Sequence, residues 1–227
     1  MALQVEVRRI GDVALLKCNG RIVNGEEAQA LQKRVIELME TDRQLVLHLA
    51  DVSFLDSSGL GLLVRLAGVL RSARGDLKLC SVTRDIAHVL KITNLKQVLE
   101  THESEVEAVA AFYEGARQSD SGRATGRKVV CFDDSEDVLA LVRELARQAG
   151  YAPVTTCNMG DARVLIKATK PALVVLGPGV SEENRRALQS LAPKTPFATL
   201  DCTFPTLAPA EATEHVSAAL RAATGQS

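Results

Sequence analysis

The chain has 227 residues, 46% hydrophobic and 24% charged, with 27 basic and 28 acidic side chains and a net charge of −1. Those proportions exclude global disorder, and the charge balance excludes a broad electrostatic grip on nucleic acid, which needs a clustered basic surface. With 3% aromatic residues and no Trp there is also no stacking platform for single-stranded nucleic acid or sugars, so the cores must be aliphatic. At roughly 100–200 residues per domain, the length fits one large domain or two small ones.

The opening MALQVEVRRI carries Glu6, Arg8 and Arg9 and leaves no room for the apolar stretch of a signal peptide. No apolar run approaches the ~18–20 residues of a membrane-spanning helix. The expected compartment is the cytoplasm. Five cysteines, Cys18, Cys80, Cys131, Cys157 and Cys202, are scattered without a CxxC pair or a His at ligand spacing. They are expected to be reduced thiols buried in strands, with no metal and no cofactor.

In chain order, Val5–Val7 and Val13–Leu16 flank Gly11-Asp12 and predict a hairpin. Residues 20–25 are expected as a loop. Ala28, Leu31, Val35 and Leu38 recur at helical spacing over residues 26–39. Residues 45–49, LVLHL, predict a central strand, 57–73 a buried helix, 77–82 a strand and 85–92 a short helix. Ser104 and Glu107 have capping-box spacing and open a further helix. Residues 118–126, QSDSGRATG, lack large apolar side chains and read as a linker. The expected division is 1–118, a linker at 119–126, and 127–227. The first part carries 15 basic and 16 acidic groups; subtracting from 27 and 28 leaves 12 and 12 for the rest, so neither part is strongly charged.

The second part begins with a strand at 128–132 that ends in Asp133-Asp134. A helix follows at 135–148, then a strand at 152–157, a helix at 160–169, a buried strand at 171–176, a helix at 181–191, a strand at 196–200 and a last helix at 211–223. This strict alternation implies a parallel sheet with helices on both faces. The fold class is therefore α/β throughout.

Residues 51–61, DVSFLDSSGLG, carry the most information. A strand end runs into a helix N-terminus, where Asp56, Ser57 and Ser58 are all good caps for free backbone N–H groups. Gly59 and Gly61 allow close approach of another backbone or a partner. An ordinary capped helix accounts for the same residues.

DVSFLDSSGLGLL also resembles the signature of STAS-domain anti-sigma-factor antagonists, the anti-anti-sigma factors of bacterial partner-switching systems. The likeness extends over residues 3–117, through the strand Cys18–Ile22 with its following helix and the late strand and helix from Leu77 to Leu95. It implies a mixed STAS sheet with helices and a regulatory binding protein, not an enzyme. By this resemblance Ser58, just before Gly-Leu-Gly, is the phosphoacceptor. A partner anti-sigma factor with serine-kinase activity would phosphorylate it, and a PP2C-type phosphatase would restore the hydroxyl. Unphosphorylated protein would bind the kinase and free the sigma factor. Arg21, Asn24, Asp56, Ser57, Ser58 and Gly59 are the expected partner-binding and switch residues, with no direct nucleic-acid or membrane partner and a homodimer allowed. Asp56 is expected to cap the helix and orient the hydroxyl, not to act as a base.

Residues 127–224 resemble the receiver domain of response regulators through Asp133-Asp134, the strand PALVVL and the β-α rhythm. Such a domain needs an acidic pair for Mg²⁺, an acceptor Asp after the third strand and a Lys near the end of the fifth. Here the acceptor position is Gly177, the usual Thr or Ser position is Asp201, no Lys follows Lys194, and a helix between the last two strands is expected to be missing. The resemblance therefore implies a degenerate receiver-like docking module, a small doubly wound parallel sheet in which Asp133 and Asp134 are a vestigial pair favourable at a helix N-terminus. The alternative is a scaffold or adaptor of stressosome-like or transport-associated type. His48 is expected to be a core or half-buried histidine, and Arg71 and Arg74 to suit the end of their helix without partners.

Overall fold

The computed structural model describes residues 2–119, 127–200 and 218. The chain divides at Phe112/Tyr113 into two compact units. The linker expected at 119–126 lies outside the described residues except for Ser119, which ends a helix. The expected last helix, Asp201 and Cys202 lie outside them too, Ala218 alone excepted, as does the segment expected to lack a helix.

In the first unit, β1 (Gln4–Ile10) and β2 (Val13–Ile22) form the expected hairpin, with Ile10 opposite Val13 across Gly11-Asp12. α1 (Glu26–Met39), β3 (Gln44–Leu55), α2 (Ser57–Ser72), β4 (Asp76–Cys80), α3 (Arg84–Ile92) and β5 (Glu100–His102) follow, with a 3-10 turn at Leu95–Gln97. The sheet order is β1-β2-β3-β4-β5, antiparallel only at the first pair. Each later connection is a crossover through a helix, the geometry parallel pairing requires. Alternate residues of three strands, among them Leu16, Leu45, Leu47, Leu77 and Leu79, join Leu31, Val35, Leu63, Leu66 and Leu90 of the helices in one aliphatic core. Each fully buried Leu or Val contributes about 1.5–3 kcal/mol relative to exposure, so this cluster dominates the unit's stability.

The other face carries polar pairs. Helix α4 (Glu105–Ser119) places Glu105 against Arg8 of β1 at 2.6 Å, and Lys78 of β4 lies 5.0 Å from the centre of the Phe112 ring. Lys78 is buried and hydrogen-bonds Glu100 of β5. The capping box is present in altered form. Ser104 accepts the Glu107 N–H at 3.3 Å, while the Glu107 carboxylate accepts the N–H of Glu103 at 3.0 Å.

Several boundaries differ from the sequence reading. Residues 20–22, expected as loop, continue β2, because Gly20, Arg21 and Ile22 pair with Val52, Phe54 and Leu55. The strand expected at 45–49 runs on to Leu55, paired on that stretch with β2 alone, and two register shifts in this pairing break the alternation that would have revealed it. Arg71 is not left to the helix dipole. It bonds Asp76 at 2.8 Å and the Val98 carbonyl at 2.7 Å.

The second unit contains β6 (Lys128–Phe132), α5 (Glu136–Gln148), β7 (Ala152–Thr156), α6 (Met159–Thr169), β8 (Leu173–Leu176), α7 (Glu182–Leu191) and β9 (Phe197–Thr199). All pairs are parallel, in the order β7-β6-β8-β9. Val129 and Cys131 pack in a core with Leu139, Val142 and Leu145 of α5. Val130 and Phe132 are equally buried on the opposite face of β6, the strand that α6 also meets. Ser135, Asn158 and Ser181 cap the three helices through their side chains. Cys18, Cys80 and Cys131 are buried thiols, each pushed up to about 12 chiefly by burial. Cys157 is exposed just past β7, which corrects the expectation that it is buried.

Candidate functional site

The parallel strands β2 and β3 end together, and α1 and α2 start from the same edge of the sheet. Asp56 is the residue between β3 and α2, with extended backbone angles of −86° and 177°. Its Oδ1 accepts the N–H of Gly59 at 2.7 Å, satisfying a free donor of the first turn, and its carbonyl accepts the N–H of Leu60 at 2.9 Å. Oδ2 accepts the N–H of Asn24 at 3.1 Å, which fastens the β2–α1 turn to the start of α2. The Asp56 N–H donates to the Ile22 carbonyl at 3.3 Å. Bonds from the amides of Gly59 and Asn24 hold the carboxyl below its ordinary value, so it is ionised at neutral pH.

Gly59 is buried because α2 starts against β2. A Cβ at this position would overlap the Ile22 carbonyl oxygen and the Leu55 side chain. Gly61 faces open space. Glycine is thus sterically required at the first position and not at the second, a distinction absent from the sequence.

Ser57 and Ser58 are both exposed on the first turn of α2, with Asn24 and Arg21 exposed on the neighbouring elements. The six expected switch residues therefore share one end of the sheet. Arg21 sits in β2 rather than in a loop, in register with Phe54 of β3. Phe54 is 55% exposed in a chain with five Phe and no Trp, and sequence reasoning missed it. The shifted β2–β3 register hides its outward direction. Its only sequence signal is an aromatic side chain two residues before the cap.

Residues 4–108 match the family model described as STAS domain. The anti-sigma-B factor antagonist of Bacillus subtilis (strain 168) is 32% identical over 73 residues, 32% of this chain and 67% of that protein. The chain belongs to the STAS-domain family of anti-sigma-factor antagonists. An anti-sigma F factor antagonist of Paenibacillus polymyxa is 25% identical over 116 residues, 48% of this chain and 94% of that protein. Among solved structures, the anti-sigma factor antagonist SpoIIAA in its unphosphorylated form has a TM-score of 0.42 and 17% identity, covering 50% of this chain and 97% of that one. The motif of this STAS domain, from Asp51 to Gly61, lies in the matched region.

In the second unit, Asp133 and Asp134 separate. Asp133 is 1% exposed, while Asp134 points to solvent. The sheet order reverses between β6 and β8, and Asp133 lies just past the end of β6, with Gly177 just past the end of β8. That crevice is where open α/β sheets bind ligands. Here the Asp133 carboxylate fills it. Oδ1 accepts the Ser135 N–H at 2.8 Å and Oδ2 accepts the Gly179 N–H at 2.9 Å. A Cβ on residue 177 would overlap that carboxylate. Asp133 is thus more than a favourable charge at a helix start, as the sequence suggested; it joins two loops. No cluster of three or more metal-ligating side chains occurs among the described residues. Among the same residues, no helix is long and apolar enough to cross a membrane.

Proposed function

We propose that the STAS domain works in a bacterial partner-switching pathway with Ser58 as its phosphorylation switch. In this reading the unphosphorylated protein binds an anti-sigma factor with serine-kinase activity in the cytoplasm and releases the sigma factor. Phosphorylation of Ser58 ends the binding, and a PP2C-type phosphatase restores it. The observation that carries the reading is the placement of an exposed hydroxyl one residue before Gly59, on a helix start whose Gly59 N–H is already taken by Asp56. A phosphate there adds about −1.5 to −2 charges. The helix N-terminus tolerates it, so the fold survives, while a partner surface shaped for a neutral hydroxyl meets an unpaired, desolvated dianion. The exposed pair Arg21 and Phe54 supports placing the partner on this end of the sheet, since Arg and aromatic side chains anchor interfaces.

Residues 1–118 are assigned to this role, with 119–126 as linker and 127–227 as a receiver-like docking module without phosphotransfer. The Asp133–Gly177 arrangement supports the latter, because the carboxylate occupies the space an acceptor side chain would need. Phosphopeptide mapping after incubation with the cognate kinase and ATP tests the switch. Label on Ser58 is expected, and label confined to Ser57 would sink the assignment.

A further inference from the structure

Residues 18–25 contain two Asn-Gly pairs, Asn19-Gly20 and Asn24-Gly25, the dipeptide with the least steric hindrance to attack of a backbone amide on its neighbour's side chain. The fold treats them differently. Asn19 is exposed, but its backbone lies inside β2, paired with Gln4 on one side and Asp51 on the other, and Gly20 is buried. Asn24 and Gly25 are exposed in the turn between β2 and α1. Gly25 is the residue before α1, at φ 118°, and among the described residues neither its N–H nor the Asn24 side chain makes a hydrogen bond.

We propose that Asn24 is a site of spontaneous deamidation that adds a permanent negative charge to the face carrying Ser58. The Gly25 amide nitrogen, giving its proton to solvent base, attacks Asn24 Cγ. The new C–N bond closes a five-membered imide as the Cγ–Nδ2 bond breaks, and ammonia leaves with the proton. Water then opens the imide. Addition at Cγ yields aspartate, and addition at the Asn24 backbone carbonyl carbon yields isoaspartate. The balance is one water consumed and one ammonia released, with no change of oxidation state. The positive end of the α1 dipole favours both the amide anion and the carboxylate product. Asn19 and Gly20 are paired with Asp51 and Val52 of β3, although Gly20 sits at φ 116° beside a register shift, and cyclisation there first requires this pairing to open.

The product matters because the Asn24 N–H is bonded to Asp56 at 3.1 Å. Aspartate sets a second carboxylate beside that of Asp56, and isoaspartate inserts an extra backbone carbon into the turn that Asp56 fastens. The effect on partner binding rests on the reading of Ser58 as a switch; the chemistry does not.

The test is to age the full chain in warm, mildly alkaline buffer and map tryptic peptides. Cleavage after Lys17, Arg21 and Lys33 puts Asn19 in peptide 18–21 and Asn24 in peptide 22–33. Acid, with isoaspartate in excess, is expected in the second peptide roughly tenfold or more faster than in the first, since the strand must open before its peptide can cyclise. In denaturant the two rates are expected to converge. Asn24→Gln, whose longer side chain closes a larger ring, abolishes the acid in peptide 22–33. Equal rates in the folded chain, or no acid at Asn24, would overturn the proposal. Aged Ser58→Ala still forms the acid while taking no phosphate, so the two readings fail separately. Acid-form chain that binds the kinase as tightly as fresh chain would overturn the functional part.

Discussion

The carboxylate of Asp56 and the backbone N–H of Asn24 lie 3.1 Å apart, joining two segments separated by 32 positions in the chain. One side chain thereby caps α2 and positions the turn before α1. Replacing Asp56 by Ala is expected to lower the urea midpoint and to speed hydrogen exchange at the amides of Gly59 and Asn24 together. Asp56→Asn, which keeps an acceptor oxygen, is expected to restore most of the protection. Faster exchange at Gly59 alone would show that the two segments are not coupled through this group.

The switch proposed at Ser58 predicts opposite behaviour for two variants. Ser58→Asp is expected to weaken binding to the cognate kinase more than a hundredfold, the factor that a loss of ~3 kcal/mol gives. Ser58→Ala is expected to bind constitutively and accept no phosphate. Titration calorimetry with the purified partner reads both, and equal affinity for the two variants would refute the switch.

Gly59 and Gly61 look alike in the sequence and differ in the fold. Gly59→Ala forces a Cβ into the Ile22 carbonyl, which the backbone of β2 cannot yield cheaply; a loss of about 1–3 kcal/mol is expected from overpacking. Gly61→Ala meets open space and is expected to stabilise α2 by up to about 1 kcal/mol through helix propensity. Thermal unfolding of the pair checks this, and a shift of the same sign in both would contradict it.

His102 supplies a pH dependence. Burial lowers its pKa, and Lys78 acts in the same direction, while Glu100 and Glu107 oppose them. Its Nε2 is 3.2 Å from Glu100, and the upward pull of that carboxylate is smaller than the cost of burying the charged ring. The unfolded chain therefore binds this proton more readily than the folded one. The contribution to stability is present above the ordinary histidine value of about 6.5 and declines as pH falls below it toward the lower folded pKa. Urea midpoints measured on either side of that value should fall with acid in the wild type and fall less in His102→Gln.

In the second unit, Asp133→Ala removes the acceptor for two amides, from Ser135 and Gly179, inside a buried crevice. A cost of about 1–3 kcal/mol follows from leaving such groups unsatisfied. Incubating residues 127–227 within the full chain with a small-molecule phosphodonor is expected to give no acyl phosphate. Stoichiometric labelling there would overturn the docking-module reading.

Much of this was legible in one dimension. Aliphatic periodicity located α1, α2 and α5 within a residue or two, because a helix needs only its own 3.6-residue stripe and its cap. Gly11-Asp12 between two apolar runs marked the hairpin, and DSSGLG marked the helix start that carries Ser58. The short β5 and the 3-10 turn before it were missed, since three residues hold too little alternation to read. The ends of β2 and β3 were missed because their pairing shifts register, and a shifted strand no longer alternates in step with its neighbour.

By itself, then, the sequence determined the α/β class, the aliphatic core and the Asp-Ser-Ser-Gly helix start, all properties of local spacing and residue type. Only the tertiary structure decided which of two glycines is sterically required, which of two Asn-Gly pairs is left outside the strands, and where Asp133 turns. Those outcomes depend on what another strand or loop places within a few ångströms. On a near-neutral chain with a net charge of −1, the phosphate proposed at Ser58 or the carboxylate proposed at Asn24 is a large change. The fold places both residues, exposed, at one end of one sheet.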